Sequence, residues 1–159
     1  QKVTDERKGM RYLAEALAQM DSSRLHLVVV GRDAQSVASL CPGIAFTALG
    51  SVTPDEMPMA YAAADVFVTP SLEDNLPNTI AEAMSVGTPC VGFRTGGIPE
   101  MITHLTSGYV AEQCSAADLA SGIGYVLCHP LREAAARQAA RDYNEGRVAG
   151  QYISIYESL

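Results

Sequence analysis

The chain has little clustered positive charge. Its 159 residues carry 11 Lys and Arg against 18 Asp and Glu, a formal net charge of −7, and no basic run longer than Glu6-Arg7-Lys8. A nucleic-acid surface needs Lys and Arg gathered on one face, so nucleic acid is excluded from the expected partners. Long hydrophobic runs are missing too: no stretch approaches the roughly 18 to 20 apolar residues that span a bilayer. No signal peptide is evident, and the start at Gln1 without methionine leads us to expect a lost beginning. The four cysteines, Cys41, Cys90, Cys114 and Cys128, form no C-x-x-C pair, and His26, His104 and His129 show no ligand spacing. Reduced, mostly buried thiols in a cytosolic protein and no metal site are the expectation. Nucleotide and hydrolase motifs are also lacking. The Gly31-Arg32-Asp33-Ala34 turn is no G-x-G-x-x-G, and neither G-x-x-x-x-G-K-[ST] nor G-x-S-x-G occurs. These absences weigh against a dinucleotide oxidoreductase, a P-loop enzyme and an α/β hydrolase.

What is present is an ordinary globular balance, 48% hydrophobic and 18% charged, in a length that suits one domain with a real core. Short β-branched runs closed by Gly or Pro occur at residues 25–31, 44–50, 64–70 and 88–93, with a weaker fifth at 107–112. Helical patterns lie between them, at 9–20, 34–40, 54–63 and 77–86, with a single turn at 98–102. After Ser115 the pattern is all helix, at 116–127, 131–143 and 147–159. Near-continuous apolar strands separated by helices predict an α/β fold. We expect a Rossmann-like, doubly wound parallel sheet of about five or six strands, helices on both faces and an all-helical carboxyl-terminal end. In such sheets, ligands bind outside the carboxyl ends of the strands.

One of those ends opens the stretch PSLEDNLPNTIAEAMSVGTPCVGFRTGGIPE, residues 70–100. Glu73, Asp74 and Glu82 crowd the passage from a strand to its following helix, and Pro77 falls where that helix begins. Proline is favoured at the first helical position, which would leave the amides of Asn78 and Thr79 as free donors on the positive end of the helix. They form either an anion site or, if Asp74 or Asn75 folds back, an ordinary cap. Arg7 and Lys8 lie near the start of the first helix, where the dipole disfavours cations, with Asp5 and Glu6 beside them. Either this is a solvated charge cluster, or Lys8 shares a rim with the free amides and suits a diphosphate. Gly9 would let the backbone pack closely there.

The Arg7-Lys8-Gly9 helix opening is followed in order by P-S-L, an acidic pair eight positions apart, E-A-M, G-T-P and G-G-I-P-E. From Lys2 to the final helix this resembles the carboxyl-terminal half of family-4 retaining glycosyltransferases. Those enzymes have two Rossmann-like domains facing across a cleft, the GT-B architecture. The resemblance implies that residues 1–159 are the nucleotide-sugar (donor) binding domain, with the amino-terminal acceptor domain absent from the chain. Asp74 would contact sugar hydroxyls alone and Glu82 the ribose. Asp74 is one methylene shorter than the family's usual Glu, and Glu73 stands beside it. Asn75, Leu76, Asn78 and Thr79 would flank the donor, with Leu76-Pro77 replacing an aromatic–glycine pair and removing one backbone donor. Lys8 would neutralise the diphosphate, Lys2 takes the place of a frequent arginine, and Gly50, Ser51 and Val52 would line the nucleobase. Lys8 and Asp74 are thus the expected catalytic residues. Gly96 and Gly97 would serve backbone geometry rather than ligand contact.

That resemblance further implies no cofactor and metal-independent transfer from a UDP- or GDP-sugar to a glycan or lipid-linked acceptor, with retention. The setting would be bacterial surface polysaccharide synthesis, in the cytoplasm or at the inner face of the cell membrane. Two alternatives stay open: a GT-B nucleotide-sugar epimerase and a non-catalytic nucleotide-sugar-binding module. In the family the last helix crosses the cleft. Here Val148, Tyr152, Ile155, Tyr156 and Leu159 form an apolar stripe that would lose part of its partner surface.

Overall fold

A computed structural model describes residues 5–158. It contains five strands, β1 (His26–Val30), β2 (Ala45–Gly50), β3 (Phe67–Thr69), β4 (Cys90–Phe93) and β5 (Gly108–Ala111). Seven helices accompany them: α1 (Met10–Leu17), α2 (Met57–Ala63), α3 (Asn78–Ser85), α4 (Ile98–Met101), α5 (Ala116–Cys128), α6 (Arg132–Asp142) and α7 (Glu145–Glu157). Every strand pairing is parallel, as expected, and the order among described residues is β1-β2 in one ladder and β3-β4-β5 in another.

The burial of β4 explains why its sequence is apolar without alternation. Val91 and Phe93 face a core built with Leu13 and Leu17 of α1 and Leu119 and Ile123 of α5. Cys90 faces a second core with Ile80 and Met84 of α3, Ile98 and Met101 of α4 and Ala135 of α6. Side chains alternate along a strand, so a strand covered by helices on both faces must be apolar at every position. The β1–β2 ladder is less covered. Val29 is buried, but Val28 is 47% and Leu49 45% exposed, so the full two-faced burial expected there is not reached. Val29 and Val37 belong to the same buried cluster as Leu13, Leu17, Val91 and Phe93, so one core runs under both ladders.

Several boundaries differ from expectation for local reasons. Residues Ala34–Leu40 form a 3-10 helix after Asp33, which has a left-handed backbone, φ 64°. α2 starts at Met57 because Thr53 accepts a different role: its amide and hydroxyl donate to Glu56 Oε2 at 3.1 and 2.7 Å, closing a turn first. α3 starts at Asn78, one position later than predicted, because Pro77 is the cap residue with extended ψ 105°. Cys41 and Cys90 are buried free thiols, whereas Cys114 and Cys128 are exposed free thiols at the ends of α5. The expectation of mostly buried cysteines therefore holds for only half of them. No helix among the described residues is long and apolar enough to cross a membrane.

Candidate functional site

The strands of each ladder are parallel, so the carboxyl ends within a ladder line up along one rim. The loop leaving β3 is anchored there from three directions. Leu72 N donates to Arg7 O at 2.7 Å, Leu72 O accepts from Thr95 Oγ1 and Gln113 Nε2, both at 2.9 Å, and Gly97 N donates to Asp74 O at 3.3 Å. Three glycines make these approaches possible, two of them (Gly9 and Gly96) with a left-handed backbone. Gly9, at φ 62°, lies against Pro70, where a Cβ would overlap the carbonyl oxygen. Gly96, at φ 50°, lies against Asp74 in the same way, and Gly97 lies against Asn75. Only glycine tolerates both the left-handed backbone and the contact. Gly96 and Gly97 thus serve backbone geometry, by holding the acidic loop.

Lys8 ends a 3-10 turn, Glu6–Lys8, that is capped by Asp5. Asp5 pairs with Arg7, Oδ2 to Nη2 at 2.8 Å, and those hydrogen bonds hold its carboxyl down to about 2. Lys8 instead reaches across to the β3 loop, with Nζ 3.3 Å from Asp74 Oδ2. The two residues predicted to be catalytic are therefore in contact. Asp74 does not fold back as a cap: α3 has no side-chain cap, and the amides of Asn78 and Thr79 have no acceptor among the described residues. Glu82 projects from α3 and accepts from Tyr61 OH at 3.0 Å. Burial first, then the bond to Glu82, pushes the Tyr61 phenol well above its usual range, so it stays protonated and remains a donor.

The other expected residues are more dispersed. Glu73, Asn75 and Leu76 are exposed on the acidic loop. Gly50, Ser51 and Val52 follow β2, and Gly50 O accepts from Gly31 N at 2.7 Å, on the β1–β2 side of the rim. There Gly31, Arg32, Asp33, Gln35, Gly50 and Ser51 border an open hollow of about 510 Å³. A second, of about 420 Å³, lies between Asp5, Glu6, Arg11, Ser36 and Leu72. Neither hollow is lined by Lys8, Asp74 or Glu82. Lys2 lies outside the described residues. Sequence reasoning missed Tyr61, Thr95 and Gln113, which orient the site through long-range contacts, and Arg32 and Asp33, whose place after a strand end was the available signal. Among the described residues no three His, Cys, Asp or Glu side chains gather as metal ligands.

The family model described as glycosyl transferases group 1 matches residues 2–129. The chain belongs to the group 1 glycosyltransferases. This group 1 glycosyltransferase domain is 28% identical to 2-deoxystreptamine glucosyltransferase of Streptomyces kanamyceticus, over 96% of the chain and 43% of that protein. It is 34% identical to sulfoquinovosyl transferase SQD2 of Arabidopsis thaliana, over 64% of the chain and 20% of that protein. Among solved structures, sucrose-phosphate synthase from Thermosynechococcus elongatus superposes with a TM-score of 0.84 at 26% identity, over 97% of the chain and 43% of that structure. The Anabaena protein HepE in complex with UDP gives the same TM-score, 0.84, at 21% identity, over 98% of the chain and 46% of that structure, a likeness of fold. The α/β fold, with parallel sheets flanked by helices, matches these GT-B neighbours. The group 1 domain spans less than half the length of each relative.

Proposed function

We propose that the chain is the donor-binding domain of a retaining, family-4 glycosyltransferase. It would take a UDP- or GDP-sugar whose sugar is passed to a glycan or lipid-linked acceptor held by an amino-terminal domain outside this chain. The observation that carries the reading is the meeting of Lys8 with the acidic loop, immediately before the uncapped start of α3. A departing diphosphate needs positive charge in place before the bond breaks, and an ammonium with preset amides supplies it without reorganisation. Asp74 and Glu82, on a loop and helix braced by Gly96, Thr95 and Tyr61, would accept hydrogen bonds from sugar and ribose hydroxyls and so fix the anomeric carbon. The Gly50 to Val52 turn and the hollow beside it suit a nucleobase. Leaving-group stabilisation by Lys8 and the amides makes the expected reaction metal-independent and cofactor-free.

The exposed side chains of α7 suit a second domain closing over the donor, without which the chain would not transfer sugar. The proposed setting is bacterial surface polysaccharide synthesis, in the cytoplasm or at the inner face of the membrane; similarity to the amylovoran biosynthesis glycosyltransferase of Erwinia amylovora supports a biosynthetic role. Titration calorimetry with UDP and GDP tests the core of the proposal. Lys8→Ala should weaken the better nucleotide by roughly 1.5–3 kcal/mol, the range for hydrogen bonds to charged groups. Equal affinity in variant and parent refutes it.

A further inference from the structure

Lys8 is already engaged by a partner of its own chain. Its Nζ lies 3.3 Å from Asp74 Oδ2, and the two side chains are largely shielded, 28% and 21% exposed. The carboxylate partner is anchored through its backbone: Gly97 N donates to the Asp74 carbonyl, and Gly96 presses against that same carbonyl. Asp74 therefore adjusts only by rotating its side chain, whereas the lysine swings on a flexible four-carbon stem. A diphosphate arriving at Lys8 meets an anion already in possession of the ammonium. Two negative groups competing for one cation are a repulsive arrangement unless one of them finds other donors.

We propose that Asp74 is an internal counter-ion which the donor's diphosphate displaces from Lys8, and that sugar hydroxyls then satisfy the released carboxylate. The inference rests on the donor-site reading above and gives Asp74 a part at the diphosphate as well as at the sugar. A nucleotide sugar brings both a diphosphate for Lys8 and hydroxyl donors for Asp74. A bare nucleoside diphosphate brings only the first, leaving an unpaired carboxylate beside its own charge. Asp74 thus discriminates the donor from the spent nucleotide and favours release of the latter. A contact made to the sugar alone would have no such effect on bare UDP or GDP.

Asp74→Asn keeps the size of the side chain and removes its charge. A partly exposed ion pair is worth roughly 0.2–1 kcal/mol, which caps the effect near fivefold. Calorimetry on the chain should show UDP or GDP, whichever the parent prefers, binding about two- to fivefold tighter to the variant. The tightest-binding of UDP-glucose, UDP-N-acetylglucosamine and GDP-mannose should bind no tighter than to the parent. In a Lys8→Ala background the gain for the nucleotide should shrink, because the competition has lost its object. A cooperative melting transition within about 4 °C of the parent's establishes that Asp74→Asn is folded. The exchange is overturned if Asp74→Asn leaves the bare nucleotide's affinity unchanged or lower, or if nucleotide and nucleotide sugar gain equally. If Lys8→Ala weakens the nucleotide while Asp74→Asn is neutral, the donor-site reading stands and the exchange alone fails. If the parent binds neither UDP nor GDP, or Lys8→Ala binds as the parent does, both fail.

Discussion

Replacing Gly96 by alanine asks how firmly the acidic loop is held. The residue has φ 50°, and a Cβ built on it would lie 2.8 Å from the Asp74 carbonyl carbon and closer still to its oxygen. Carbon atoms prefer about 3.5–4.0 Å, so the loop would have to withdraw by roughly an ångström. The left-handed backbone costs a non-glycine residue roughly 1–2 kcal/mol, and forcing atoms into a packed contact adds roughly 1–3 kcal/mol. A total loss of about 2–5 kcal/mol is expected in urea unfolding. Binding should suffer selectively. A misplacement of about 1 Å can cost about a hundredfold, so Asp74-dependent recognition of the sugar should collapse while nucleoside diphosphate binding, led by Lys8, falls much less. Gly124 in α5 is the control, since a Cβ there meets nothing within 4 Å. Gly124→Ala should stabilise by roughly 0.5–1 kcal/mol. If Gly96→Ala unfolds at the parent's urea midpoint and keeps its preference for nucleotide sugar over nucleotide, the loop is not clamped and the reasoning is wrong.

Glu82→Gln keeps an acceptor for Tyr61 OH, so stability should change by no more than about 0.5 kcal/mol. It should nevertheless weaken UDP or GDP and the nucleotide sugar by the same factor in calorimetry, and a loss confined to the nucleotide sugar contradicts the ribose assignment. Burial pushes the Cys90 thiol and the Tyr61 and Tyr143 phenols upward. Raised folded values mean stability that is complete below the unfolded values, about 8.5 for a thiol and about 10 for phenols, and lost as pH climbs past them. Melting temperature should therefore fall steadily from about pH 8 to about pH 11, and Cys90→Ala should flatten the early part of that fall. A flat parent profile defeats the argument. In α7, Tyr152, Ile153, Ile155 and Tyr156 are 55–73% exposed and no described side chain is buried. Amides from Gln151 onward should exchange far faster than those of β4. Equal protection in a demonstrably monomeric chain rules out a helix awaiting a partner.

β1, β2 and β3 were legible because each is a short apolar run stopped by Gly or Pro, and β4 because burial on both faces makes it apolar throughout. The loop between Pro70 and Pro77 was legible for the same reason: it is where such a run ends. What sequence order hides is long-range pairing. Lys8 and Asp74 are 66 positions apart, and nothing local says that Asp74 will choose the lysine over the amides of the helix that follows it. Tyr61 reads as one more core aromatic of α2 until the packing of α2 on α3 aims its hydroxyl at Glu82. The cap position of Pro77 and the 3-10 character of Ala34–Leu40 depend on single dihedrals, which patterning does not encode.

The division of the strands into two ladders has a mechanical consequence. Among the described residues, β1–β2 and β3–β4–β5 share no backbone hydrogen-bonded register and are joined through one buried side-chain cluster. Side-chain packing yields sooner than a continuous ladder, so the less covered β1–β2 unit should open at a lower free energy than the rest. The molecule then behaves as a firm block, carrying Lys8, Asp74 and Glu82, with a looser flap that ends in the Gly50 turn. Any ligand that touches both acts as a strap across the seam. Its binding would be felt first as slowed breathing of β1 and β2, far from the groups that grip its charge.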